Sequence, residues 1–201
     1  MDRKTINRAL RAEFFPVLAA EGFTRHGDVA RRIAPDGVVH VVDIQHLPRN
    51  GAFQVNLGTH LLQLGGVAGG QSPAPETFRD FDCAWRGSII AGFRNASDAA
   101  FTYGATAEQA AESVAFLVSE WPRQSAAFFA PYQSYPDTFH AAAHAAAADD
   151  SLHPAHMLTW ARVAALLDDA PLAQTIALAA LPKVPERATA LRDKLHAFLT
   201  P

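Results

Sequence analysis

Four histidines crowd one stretch of the chain: His140, His144, His153 and His156. Residues four apart project from the same face of a helix, so His140 and His144 could present two imidazole nitrogens to a zinc or nickel ion. His153 and His156 follow just beyond Asp149 and Asp150. A hydrolytic zinc helix also carries a glutamate directly after its first histidine to act as general base. Here that position is Ala141. The pattern allows a metal-binding protein or a metal-dependent enzyme using the four histidines. With nine histidines in the chain, surface or interhelical positions are the plainer account of them.

A second constellation is polar and uncharged but for one carboxylate. If Pro48 to Gly51 forms a four-residue connection between two strands, Leu47 pairs with Ala52, Asp43 faces Asn56 and Gln45 faces Gln54. Side chains alternate faces along a strand, so Asp43, Gln45, Gln54 and Asn56 share one face. Val42, Ile44, Phe53, Val55 and Leu57 then line the other. The plainest expectation for the polar face is the solvated side of a half-covered sheet. Its functional reading is recognition, because amides and a carboxylate supply donors and acceptors without forming a catalytic group.

Other chemistries fail on residue type or spacing. Cys83 is the only cysteine, which precludes an intrachain disulfide, and the neighbouring Asp82 disfavours the thiolate a nucleophile needs. It reads as a buried structural residue. No Gly-x-Ser-x-Gly elbow positions a serine. Gly65-Gly66 and Gly69-Gly70 lack the spacing and the lysine of a phosphate loop. Arg25, Arg31, Arg32 and Arg49 could touch a phosphate backbone, but the strands lack the interleaved aromatics of an RNA-binding sheet. With 17 basic and 20 acidic residues, the charge is too balanced to attract a polyanion.

The elements that must position these residues follow from hydrophobic period. Ile6, Leu10, Phe14 and Leu18 fall four apart and predict an amphipathic first helix that ends at Gly22 and is kinked or restarted at Pro16. Phe23–Ile33, Val38–Leu47 and 52–60 are β-branched and aromatic runs separated by Pro35-Asp36-Gly37 and by Pro48 to Gly51. A fourth strand is expected within Phe81–Ile90, after a Gly/Ala/Ser/Pro loop over 65–75. Thr106–Trp121 returns to helical period. An aromatic and proline-rich connector over 121–136 leads to four short helices, 137–148, 152–167, 172–181 and 185–199.

The sum is an α+β fold: an N-terminal helix, an antiparallel meander sheet of about four strands, a packed helix, then a C-terminal all-helical extension. The expected division is an α+β domain over 1–132 and a helical extension over 133–201 packed on it. At 201 residues, a chain buries roughly 70% of its unfolded surface, enough for a core without metal or disulfide. The apolar run Phe14–Ala20 is short and closes on Glu21, a poor signal peptide, and no stretch is long and apolar enough to span a bilayer. A cytoplasmic protein without a cofactor is expected. Arginine outnumbers lysine 14 to 3, a bias typical of GC-rich bacterial genomes.

The succession of first helix, Glu21-Gly22-Phe23, Asp43-Ile44-Gln45, Phe53-Gln54-Val55-Asn56-Leu57-Gly58 and Cys83-Ala84-Trp85-Arg86 resembles the bacterial family known as domain of unknown function 4304. The likeness covers roughly residues 5–125 and brings no established activity or catalytic residues with it. From the residues themselves, the expectation is a non-enzymatic module that binds another protein, of the immunity or accessory type. Two alternatives stand beside it: the metal-dependent role of the histidines, and a small-ligand binder between sheet and helices. Nucleic acid and membrane are not expected partners.

Overall fold

The structure is a computed structural model, and it describes residues 3–67 and 71–199. Gly69 and Gly70 of the expected glycine-rich loop lie outside the described residues. The chain forms two compact units, Met1–Ala130 and Pro131–Pro201.

The first unit is α+β. Its N-terminal helix comes in two α segments, α1 (Arg3–Ala9) and α2 (Phe15–Ala20), joined by a π-helical turn over Leu10–Phe14. The kink expected at Pro16 is taken up by that turn. Pro16 then sits in the first turn of α2, where its missing N–H has no intrahelical partner to lose. Ile6, Leu10, Phe14 and Leu18 are all buried, as their spacing requires.

Six antiparallel strands make the sheet: β1 (Thr24–His26), β2 (Val29–Ile33), β3 (Val38–Leu47), β4 (Ala52–Leu61), β5 (Trp85–Ser88) and β6 (Phe101–Thr102). Their order is β1-β2-β3-β4-β5, with β6 also on β4. The single strand expected over Phe23–Ile33 is a hairpin. His26 pairs with Val29, and Gly27 between them takes a φ of 64°, a conformation only glycine adopts without penalty. The fourth expected strand begins later than Phe81, at Trp85, because Asp80–Asp82 forms a 3₁₀ turn.

Helix α3 (Ala107–Phe129) is capped by Thr106, whose hydroxyl accepts from the Gln109 N–H. It runs through Pro122 into the stretch expected to be a connector. Pro122 is exposed, the side on which a lost backbone bond costs least. The continuation is held by burial, since Phe129 packs on Phe23 and on the ring of His40. Together α1, α2 and α3 cover one face of the sheet, enclosing Val42, Ile44, Phe53, Val55 and Leu57 in the main core. Trp121 stands at its centre, edge-on to Phe14 at 5.2 Å and donating to Glu21 Oε1 at 2.9 Å.

The second unit is all-helical: α4 (Asp137–Ala148), α5 (Pro154–Leu166), α6 (Ala170–Ala180) and α7 (Thr189–His196). Its core is Phe139, Ala143, Trp160, Ala161, Ile176, Ala177 and Leu195. Small alanines on the buried faces let α5 pack closely on both α4 and α6. Among the described residues, no helix is long and apolar enough to cross a membrane.

Candidate functional site

The hairpin β3–β4 has the register its turn dictates. Leu47 pairs with Ala52, Gln45 with Gln54 and Asp43 with Asn56. The four polar residues therefore share the sheet face opposite the helices, together with Val29, Arg31, Val39, Val41, Gly58 and His60.

That face is not bare. The segment from Pro75 to Cys83 lies across it, anchored by Phe78, which is fully buried against Val29, Val39, Val41 and Cys83. Arg31 Nε donates to the Phe78 carbonyl at 2.6 Å. Gly58 makes the close approach possible, because a Cβ there would stand 2.6 Å from Cys83 Sγ and 3.2 Å from Asp80 Cα. Cys83 itself is 2% exposed. Burial first, and then the nearby Asp80 and Asp82, push its thiol far above the ordinary range, which disfavours the thiolate a nucleophile needs.

The covering segment changes what the polar face can do. Asp43 is 1% exposed and is gripped by Arg79, whose Nε and Nη2 donate to its two oxygens at 2.5 and 3.0 Å. This bond to Asp43 raises the Arg79 guanidinium above its ordinary value. Asp80 is the second carboxylate at the same spot. Burial, then the charge of Asp43 and a hydrogen bond to it, raise the Asp80 carboxyl above its ordinary value. Two carboxyl groups thus sit beside the Arg79 guanidinium, with that of Arg31 also within electrostatic reach of Asp43. Gln45 remains exposed, its Oε1 accepting from Asn56 Nδ2 at 3.1 Å, and Ser88 Oγ donates to Asn56 Oδ1 at 3.0 Å.

Asp43, Gln45, Asn56, Arg79, Asp80 and Phe81 line a cleft of about 240 Å³. Phe81 stands at its rim, 61% exposed, with the Arg79 guanidinium 5.7 Å from its ring centre. Gln54 is half-buried opposite Gln45 but does not line the cleft. The expectation of a solvated face holds for Gln45 and fails for Asp43. Sequence reasoning did not find Arg79, Asp80 or Phe81. The one signal available was a charged tetrad, Arg79-Asp80-Phe81-Asp82, bracketed by the apolar Phe78 and Cys83.

The four histidines separate into two pairs. On α4, His140 and His144 stand with ring centres 4.7 Å apart, and Asp169 joins them from the start of α6, with Oδ2 3.8 and 3.9 Å from their Nε2 atoms. His153 instead caps α5, its Nδ1 accepting from the Ala155 N–H at 3.2 Å. His153 and His156 face each other at 6.5 Å, and neither belongs to the group formed with Asp169.

A further cleft, of about 420 Å³, lies between β6 and α3 and is lined by Phe93, Thr102, Gly104, Gln109, Glu112, Ser113 and Phe116. Phe93 and Phe116 are 51% and 37% exposed. Ser113 Oγ is buried there with no hydrogen-bond partner among the described residues.

Helices on one face of an antiparallel sheet, with a polar cleft under a loop on the other, define a small α+β domain. Residues 14–120 match the family model of a domain of unknown function, DUF4304, and the chain belongs to that family. No curated protein and no solved structure matches the chain. The matched stretch contains every residue of the polar cleft and stops before α4.

Proposed function

We propose that this protein is a non-enzymatic protein-binding module, of the kind that serves as an immunity or accessory factor, and that it recognises its partner at the cleft beneath Phe81. One observation carries this reading: a phenylalanine left 61% exposed beside an arginine clamped onto a buried aspartate. Exposed aromatics and arginines dominate the energetic centres of protein interfaces. The clamp fixes the Arg79 side chain before binding, so less rotamer freedom is lost when a partner docks. Gln45 and Asn56 supply the surrounding amides. Asp43 and Asp80 add two carboxyl groups to the cleft, which suits a partner that offers hydrogen-bond donors.

The test is a photo-crosslinking residue placed at position 81 of the full chain, expressed in its native host, with one at Leu178 on the second unit as control. One protein captured at 81 and not at 178 is then purified and titrated against the wild type. The expected result is at least a tenfold loss of affinity in Phe81→Ala and in Gln45→Ala, with melting temperature unchanged. Affinity unaffected by both substitutions would dismiss the cleft as the recognition surface.

A small-ligand binder is a second reading, favoured by the cleft between β6 and α3. Its buried, unpartnered Ser113 hydroxyl and two exposed phenylalanines are the composition of a pocket with one orienting polar group.

A further inference from the structure

We propose that the helical unit binds one divalent transition-metal ion of the zinc type through His140 Nε2, His144 Nε2 and Asp169 Oδ2. One ligand atom from each of the three residues lies within 4.8 Å of the other two.

Three separate features of the local fold bring them together. The first is the turn of α4, which stacks His140 above His144. The second is the end of α5. The Asp169 N–H returns to the Ala164 carbonyl at 3.0 Å and the Asp168 N–H to Ala165 at 3.2 Å, while Asp168 takes a φ of 57°. This is the left-handed closure usually given to glycine, and it turns the chain so that the very next residue, Asp169, caps α6. The third is the cap of that helix: Asp169 Oδ1 accepts from the Leu172 N–H at 3.0 Å. One carboxylate oxygen is thereby committed to the backbone, and the other faces the two imidazoles.

Distances favour a cation over a simple ion pair. At 3.8 and 3.9 Å, the Asp169 oxygen is beyond hydrogen-bond range of both nitrogens. Ligand atoms around a tetrahedral zinc, each about 2.0–2.1 Å from it, stand about 3.3 Å apart. Closing the remaining gap needs small rotations of two imidazoles whose side chains are 54% and 55% exposed and free to make them. Nitrogen and carboxylate donors in this set suit zinc, nickel and cobalt.

The same exposure leaves the remaining coordination positions open to water, as in sites that exchange or activate a ligand and unlike closed structural sites. The unit does not need the ion to fold, since Phe139, Ala143, Trp160 and Ile176 already fill its core. Ala141 stands where a hydrolytic zinc helix holds its glutamate, so binding, and not peptide hydrolysis by that route, is the assignment.

The experiment titrates the untagged full chain with Zn²⁺ by calorimetry and with Co²⁺ by visible absorption. The expected result is one ion per chain, with the intense visible bands of low-symmetry Co²⁺. His140→Ala/His144→Ala abolishes saturable binding, and His153→Ala/His156→Ala leaves it unchanged. Asp169→Asn separates ligand from architecture, because asparagine caps a helix as well as aspartate does but is a far weaker ligand. It should weaken binding about tenfold or more without lowering the melting temperature of the metal-free chain. Failure to saturate at millimolar metal, or equal affinity in the His140/His144 double variant or in Asp169→Asn, would overturn the proposal.

Discussion

The clamp between Asp43 and Arg79 makes the sharpest quantitative test, because its two partners differ in exposure. Asp43 is 1% exposed and the Arg79 side chain 46%. Asp43→Ala removes two charge-assisted hydrogen bonds, each worth about 1.5–3 kcal/mol net. The stranded guanidinium, however, can turn into water. The expected cost is therefore about 2 kcal/mol, below the full value of the two bonds. Arg79→Ala is the harsher change, since it leaves a buried carboxylate beside a second one, Asp80. Breaking a buried pair from that side costs about 3–5 kcal/mol, and Arg31, still within electrostatic reach of Asp43, brings the expectation to the lower end. The double variant should fall short of the sum by about 1–2 kcal/mol.

The two units need not unfold together, so urea transitions are to be followed in a Trp160→Phe background. The remaining tryptophans, Trp85 and Trp121, both report on the first unit. Two single substitutions each costing about 0.5 kcal/mol or less would be the behaviour of exposed residues and would refute the clamp. A larger cost for Asp43→Ala than for Arg79→Ala would refute the reasoning from exposure.

Two further outcomes are expected. Gly58→Ala places a methyl 2.6 Å from Cys83 Sγ, an overpacking that should cost about 1–3 kcal/mol; adding Cys83→Ala should recover part of it, and strictly additive losses would show that the covering segment is not pressed on β4. His46, with its side chain 5% exposed, is held below its ordinary value of 6.5 by burial first and by Arg3 second, with Asp28 opposing. The unfolded chain then takes up this proton more readily than the folded one, so stability is full above pH 6.5 and falls as the pH drops below it, by at most about 1.4 kcal/mol per pH unit. Denaturation midpoints measured from pH 7.5 to 5 should show that slope reduced in His46→Gln, and an unchanged slope would assign it elsewhere.

What was legible in the sequence was local. The β3–β4 register followed from a single turn, Pro48 to Gly51, because a strand pair closed by a short connection has one pairing that keeps Val42, Ile44, Val55 and Leu57 on a common face. The helices of the second unit were bounded by prolines and found to within a few residues. Losses came from two sources. The helix was expected to end at Trp121, and only the tertiary burial of Phe129 shows why it continues through Pro122. Asp43 looked solvated, since nothing in a two-residue alternation reveals that a segment 36 residues further on returns with an arginine. Asp169 was missed for the same reason. The helix was expected to start at 172, which left Asp169 outside it, and the approach of Asp169 to His140 and His144 depends on how α4 and α6 pack.

The two candidate sites also differ in where they fall along the chain, and that difference bears on function. The cleft at Asp43, Arg79 and Phe81 lies wholly within residues 14–120, the stretch that defines the family. A role common to the family has to reside in that shared stretch, and of its surfaces the cleft combines a preorganised cation, amide donors and an exposed aromatic. The histidine and aspartate cluster sits on helices outside it. The proposed metal site would thus be an addition made by the helical unit, and the two candidate sites are separable by substitution. Phe81→Ala should leave the Zn²⁺ titration untouched, and His140→Ala/His144→Ala should leave the position-81 crosslink in place. Loss of both properties from either substitution would mean that the two surfaces serve one binding event.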